Sequence, residues 1–197
     1  LVATGYGKVS VQVEGAVHLP EIQAHVKGAV YQSGHEDFTL LDIGGQDTKI
    51  VKVRGGRAVD FLTNDRCAAS SGRYLENMAA VLGISLQELS RCSLNPVELN
   101  STCAIFGETE IIGKIVAGYP LAELAAGINY SLYRRFAGML ERLSSDLIVV
   151  SGGVAQNEAM MNIIARESGR QVMCLPRPQF NGALGACIYG YEILKDT

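Results

Sequence analysis

A chain of 197 residues is long enough for one large domain or two small lobes around a full core. Its 48% hydrophobic and 19% charged residues suit a folded α/β protein, and a formal net charge of −3 without a Lys/Arg cluster excludes a nucleic-acid-binding surface. No apolar run is long enough to span a bilayer and no basic signal peptide opens the chain, so a cytoplasmic protein without a membrane partner is expected.

Residues 1–37 read as irregular or short-strand structure followed by a helix-like stretch from Glu21 to Val30. Phe38 to Ile43 is a short apolar strand that runs into a Gly44-Gly45-Gln46-Asp47 turn. Thr48 to Val53 and Ala58 to Leu62 then continue it as a β-meander. From residue 71 the period changes from two to that of a helix, with Leu75, Met78, Ala79 and Leu82 on one stripe and Gly83 as its cap. Ser85 and Glu88 form a capping-box pair at the head of a short helix from Leu86 to Cys92. Ile111, Ile112, Ile115 and Val116 mark a helix that stops near Gly118-Tyr119-Pro120, and Leu121 to Leu143 is the longest helix. A buried strand from Leu147 to Val150, a helix from Glu158 to Glu167, a strand from Val172 to Leu175 and a helix from Ala183 to Leu194 complete the chain.

Five cysteines form an odd set without tight pairs, which argues against a disulfide framework. The three histidines, His18, His25 and His35, all lie upstream, so a zinc site is not indicated; His25 and His35 read as ordinary polar residues. Cys67 and Cys103 each sit at the head of a predicted helix, where free N–H groups and the helix dipole favour a thiolate. Such a cysteine is either a ligand or a small buried apolar side chain, and the two segments alone leave both open.

Two glycine-rich loops carry the other chemistry. In Asp42-Ile43-Gly44-Gly45-Gln46-Asp47-Thr48 the glycines let backbone N–H groups approach an anion, and Asp42 at the strand end is placed to hold Mg²⁺ through water. A plain Gly-Gly hairpin would look the same. The loop is neither a Walker loop nor a dinucleotide-binding one, since a strand follows it. Ser151-Gly152-Gly153-Val154-Ala155-Gln156-Asn157 is a strand–glycine–helix junction suited to an adenosine or its α-phosphate, or simply to close helix–strand packing. Their order along the chain is that of the second half of actin-like ATPases, sugar kinases and heat-shock chaperones.

With these stretches the chain resembles the ATP-dependent activators of 2-hydroxyacyl-CoA dehydratases and the ATP-binding subunits of benzoyl-CoA reductase. Asn64-Asp65-Arg66-Cys67-Ala68-Ala69, Ser101-Thr102-Cys103 and Gln179-Phe180-Asn181-Gly182-Ala183-Leu184-Gly185-Ala186 carry the likeness together with the two glycine loops. The resemblance implies an actin-like ATPase (ribonuclease H-like) fold, a mixed sheet flanked by helices. Residues 1–37 would be the remnant of a first lobe and residues 38–197 the second lobe. The family's upstream Asp-x-Gly-Ser hairpin has no counterpart after Leu1, so part of the first lobe is expected to be missing.

The resemblance also implies a homodimer, or a pair with a paralogous subunit, bridging one [4Fe–4S] cluster through Cys67 and Cys103 of each chain. Cys92, Cys174 and Cys187 are left as packing residues. ATP with Mg²⁺ would lie on Gly44, Gly45, Gln46, Asp47 and Thr48 and on Gly152, Gly153, Val154, Ala155 and Asn157. Asp42, Gln46 and Glu108 are the candidate catalytic residues; Glu108 and Glu110, on the helix after Cys103, either reach the cleft or belong to a solvated face, the commoner place for a carboxylate. ATP hydrolysis would gate an electron from ferredoxin or flavodoxin to an iron–sulfur acyl-CoA dehydratase or reductase. Two other readings use part of the pattern: a sugar or acyl-phosphate kinase of the same fold, and a nucleotide-binding scaffold lobe without turnover.

Overall fold

The computed structural model describes the chain except residues 6, 8, 9, 11, 12, 65–70, 102, 103, 196 and 197, and except the side chains of 104 and 105. Cys67 and Cys103 therefore lie outside the described residues. Two short parallel strands, β1 (Val2–Ala3) and β2 (Val17–His18), precede helix α1 (Glu21–Ser33). A five-stranded sheet follows from β3 (Phe38–Ile43), β4 (Thr48–Arg54), β5 (Arg57–Asn64), β6 (Leu147–Ser151) and β7 (Gln171–Cys174), in the order β5-β4-β3-β6-β7. The meander β3–β5 is antiparallel, whereas β6 and β7 run parallel to β3. Helices α2 (Gly72–Leu82), α3 (Leu86–Leu89), α4 (Ala104–Val116), α5 (Leu121–Leu143), α6 (Glu158–Ser168) and α7 (Asn181–Lys195), with two 3₁₀ turns at Gly153–Gln156 and Pro178–Phe180, complete the described elements.

Strand β3 is buried along its whole length because helices cover both faces of the sheet. Its period of two sends alternate side chains to two cores. Leu41 and Ile43 join Tyr74, Met78, Ile128, Leu132 and Phe136 of α2 and α5. Phe38 and Leu40 join Val26 and Ala29 of α1. Asp42 shares the parity of Phe38 and Leu40, so the α1 face is the one its carboxylate meets. Helix α1, read from the sequence as part of a first-lobe remnant, packs against α7 and this face. A Cβ on Gly185 of α7 would lie 1.7 Å from the Ala24 carbonyl oxygen of α1, so the two helices touch backbone to backbone.

Two elements differ from the expected bounds. Helix α3 ends at Leu89 instead of Cys92, and the buried amide of Asn129 on α5 holds the chain where it leaves the helix: its Nδ2 donates to the carbonyls of Leu89 and Cys92, each at 2.9 Å. The capping box between Ser85 and Glu88 is present. Helix α7 starts at Asn181, two residues early, because the 3₁₀ turn Pro178–Phe180 feeds directly into it. Of the three cysteines expected to be packing residues, only Cys92 packs against the core. Cys174, at the end of edge strand β7, and Cys187, on the outer side of α7, are exposed.

Candidate functional site

The C-terminal ends of β3 and β6 open into a cleft of about 800 Å³. That volume falls within the roughly 300–1,000 Å³ of small-molecule sites. Parallel pairing sets Asp42 opposite Ser151, and the Ser151 hydroxyl donates to Asp42 Oδ1. Antiparallel pairing sets Asp42 opposite Lys49. From above, α1 lowers Glu21 and His25, one turn apart, into the same corner. His25 Nδ1 lies 3.4 Å from Asp42 Oδ1, and its Nε2 lies 3.9 Å from Glu21. Lys49 Nζ donates to Asp47 Oδ2 at 2.6 Å and reaches Glu21 Oε1 at 3.0 Å.

Burial alone would lower the pKa of Lys49, but its bonds to Asp47 and Glu21 outweigh it and raise the ammonium above the ordinary lysine value. Its stabilisation is thus fully present below the unfolded-state pKa of about 10.4 and is lost as pH climbs through the higher folded-state value. Lys49→Met, which leaves Asp47 and the less buried Glu21 without their cation, is expected to cost about 2–3 kcal/mol near neutral pH. Urea unfolding on both sides of the alkaline transition checks this: the variant should start lower and fall less with pH than wild type.

The glycine loop is held by the start of α2. Gly72 N–H donates to the Gly44 carbonyl at 2.8 Å, Arg73 N–H to the Gly45 carbonyl at 3.2 Å, and Ser71 Oγ to the same Gly45 oxygen at 2.9 Å. These contacts occupy amides at the head of α2 that were expected to be free for an anion beside Cys67. Because a trans peptide points its N–H opposite its C=O, they also turn the Gly45 and Gln46 N–H groups away from α2. Those two amides are candidate phosphate donors. On the opposite wall Gly152 has φ +85 and its Cα passes so near β3 that an added Cβ would lie 2.2 Å from the Ile43 oxygen.

Asp42, Gly44, Gly45, Gln46, Asp47, Gly152, Gly153, Val154 and Asn157 line the cleft. Thr48, buried in β4, and Ala155, packed in the core, are not among the lining residues. Asn157 also serves the scaffold: its Oδ1 caps α6 at the Met160 N–H, and its Nδ2 donates to Asn129, each at 2.9 Å. Glu108 is half-buried on α4 and does not line the cleft. Glu110 does not line it either and accepts the N–H groups of Asn100 and Ser101 at 2.9 Å. Partial burial opposes its charge, but those donors and Lys114 hold its carboxyl below the usual range.

Sequence reasoning missed His25, Glu21 and Lys49. The four-residue spacing of Glu21 and His25 and the two-residue spacing of Asp47 and Lys49 were the available signals, each placing a pair on one face. Among the described residues no group of three or more His, Cys, Asp or Glu side chains could by itself hold a metal ion. No described helix is long and apolar enough to cross a membrane.

The sequence profile of the BadF/BadG/BcrA/BcrD ATPase family matches residues 1–190. The chain belongs to this family. The 2-hydroxyisocaproyl-CoA dehydratase activator of Clostridioides difficile is 34% identical over 100% of the chain and 75% of its own length. A solved structure of that activator with bound ADPNP covers 99% of the chain and 74% of its own, with a TM-score of 0.92. The (R)-2-hydroxyglutaryl-CoA dehydratase activating ATPase of Acidaminococcus fermentans is 36% identical over 96% of the chain and 74% of its own length. MreB 5 of Spiroplasma citri, at 13% identity, 99% coverage of the chain, 68% of its own and a TM-score of 0.59, shares the fold alone. The fold of this family member is therefore the actin-like ATPase fold, as the resemblance implied.

Proposed function

We propose that the chain is an ATP-dependent activator that gates electron transfer to an acyl-CoA dehydratase or reductase. The observation that carries the reading is its chain-long similarity to two dehydratase activators, one of them solved with an ATP analogue, joined to a glycine-lined cleft large enough for a nucleotide. In this reading the Gly45 and Gln46 amides face the phosphates, and the Gly152–Gly153 backbone lies by the adenosine. Asp42 and Gln46 orient the attacking water and, through water, Mg²⁺. His25 and Ser151 keep Asp42 in place.

A [4Fe–4S] cluster, when bound, supplies a one-electron relay. The donor set fits it: Cys67 and Cys103 of two copies supply four thiolates. Support for a second copy comes from α4, whose Phe106, Ile112 and Val116 are exposed although apolar, Val116 to 84%. ATP is required because the receiving step is strongly reducing, each 59 mV of one-electron driving force corresponding to about 1.4 kcal/mol. Reduced ferredoxin or flavodoxin is the donor class, and the cytoplasm the compartment.

The test is anaerobic purification followed by an absorbance spectrum, sedimentation and an electron-transfer assay with reduced flavodoxin and a dehydratase. The expected result is a brown dimer whose electron transfer requires ATP hydrolysis. A colourless protein that binds ATP and phosphorylates a small molecule would overturn the reading.

A further inference from the structure

Tyr74 stands at the meeting point of three helices. It lies in the first turn of α2, is 1% exposed, and hydrogen-bonds with Ser131 of α5. The guanidinium of Arg135, one turn further along α5, lies 4.2 Å from the centre of its ring. A Cβ added to Gly107 of α4 would lie 4.0 Å from the same ring. The first turn of α2 is also the part bonded to the glycine loop, through Gly72 to Gly44 and through Arg73 and Ser71 to Gly45. A shift of that loop that keeps these bonds would pull on the first turn of α2, the turn that carries Tyr74.

Arg135 extends the contact to a third segment. Its Nη2 donates to the Ser101 carbonyl and to Ser131 Oγ, each at 3.3 Å. Ser101 is gripped from its other side by Glu110, which accepts its N–H. The segment that leads to Cys103 is therefore held at its carbonyl from α5 and at its amide from α4. A guanidinium suits this position because it offers a flat face to a ring and several donors at its edge.

We infer that Arg135, seated on the Tyr74 ring, is the positioning residue through which a nucleotide at Gly44–Gly45 sets the segment ending at Ser101. The inference rests on the proposed nucleotide reading of the cleft. It assigns the residues that link the phosphate loop to two described positions, the first turn of α2, which follows Cys67 in sequence, and Ser101, which precedes Cys103.

Hydrogen exchange of the anaerobically purified dimer, with and without magnesium and a non-hydrolysable ATP analogue, tests it. In wild type the analogue is expected to slow exchange about fivefold or more both in the first turn of α2 and in residues 97–101, the scale of an ordinary coupling between sites. Arg135→Met should bind the analogue within about twofold of wild type and keep protection at α2, yet lose it at 97–101. Arg135→Lys, which keeps a cation over the ring but loses the forked donation, should retain part of it. If Arg135→Met does not fold, the lysine variant carries the test, and undiminished protection at 97–101 then overturns the inference. Wild-type binding without any response at 97–101 also overturns it, as does full transmission in Arg135→Met. Failure of wild type to bind the analogue at all would instead overturn the proposed function, and the inference with it.

Discussion

Changing either Cys67 or Cys103 to alanine is expected, on the proposed function, to strip the iron–sulfur absorbance from the anaerobically purified protein and to abolish electron transfer. Nucleotide affinity should stay within about twofold, since neither residue belongs to the glycine loops. A four-iron cluster takes four thiolates. In a dimer with symmetric ligation, one substitution in the sequence removes two of the four, so the loss should approach completeness. The other cysteines are poor replacements. Cys92 Sγ lies against the Glu88 carbonyl at 3.6 Å, Cys174 Sγ against the Ala155 carbonyl at 3.4 Å, and Cys187 is out on α7. Absorbance, iron content and ATP titration of the two variants beside wild type decide the matter. A variant that keeps both colour and electron transfer would remove its cysteine from the ligand set.

Gly152→Ala should have the largest effect on stability. The residue has φ +85 and ψ 175, a region essentially reserved for glycine. The new Cβ would lie 2.2 Å from the Ile43 oxygen and 2.6 Å from its carbonyl carbon. That backbone cannot retreat, because β3 is paired on both edges and buried on both faces. Strain and overpacking together come to about 2–5 kcal/mol. The corresponding fall in Tm is about 5–20 °C for a domain of this size. Nucleotide binding should weaken as well, since the strain falls on the Gly152 turn, which itself lines the cleft beside Asp42. Gly153→Ala is the control: its Cβ would meet only Gln179 Nε2 at 3.5 Å, an ordinary contact. A pair of melting curves that coincide for the two variants would contradict the close approach of Gly152 to Ile43 of β3.

Features written in short-range patterns were legible in the amino-acid sequence alone. The apolar run Phe38–Ile43 became the central strand, the glycine turns became the hairpins of a meander, and the Ser85–Glu88 pair became a capping box. Asp42 and the glycines of both loops, which line the cleft, stood out because strand ends and Gly-Gly pairs are visible locally. The rest depended on register. Nothing in Leu147–Ser151 says that it pairs with β3, yet that pairing alone puts Ser151 on Asp42. His25 looked ordinary because α1 meets the cleft only once Gly28 and Gly185 let it press against α7. Asn157 was expected at the cleft, and Glu110 at the cleft or on a solvated face, from their neighbours in sequence. Their side chains are also committed to Ser101, Asn129 and Met160, partners that no periodicity reveals.

The hydrogen bond between Ser151 and Asp42 joins residues 109 positions apart. During synthesis the meander can form as soon as β5 has left the ribosome, but the second wall of the cleft does not exist until β6 and the turn after it arrive. A ligand that needs both walls cannot template the early steps of folding. It binds what is already finished, so it should leave the rate of folding nearly unchanged and act by slowing unfolding. In the cell such a ligand protects completed chains from degradation and offers nothing to nascent ones.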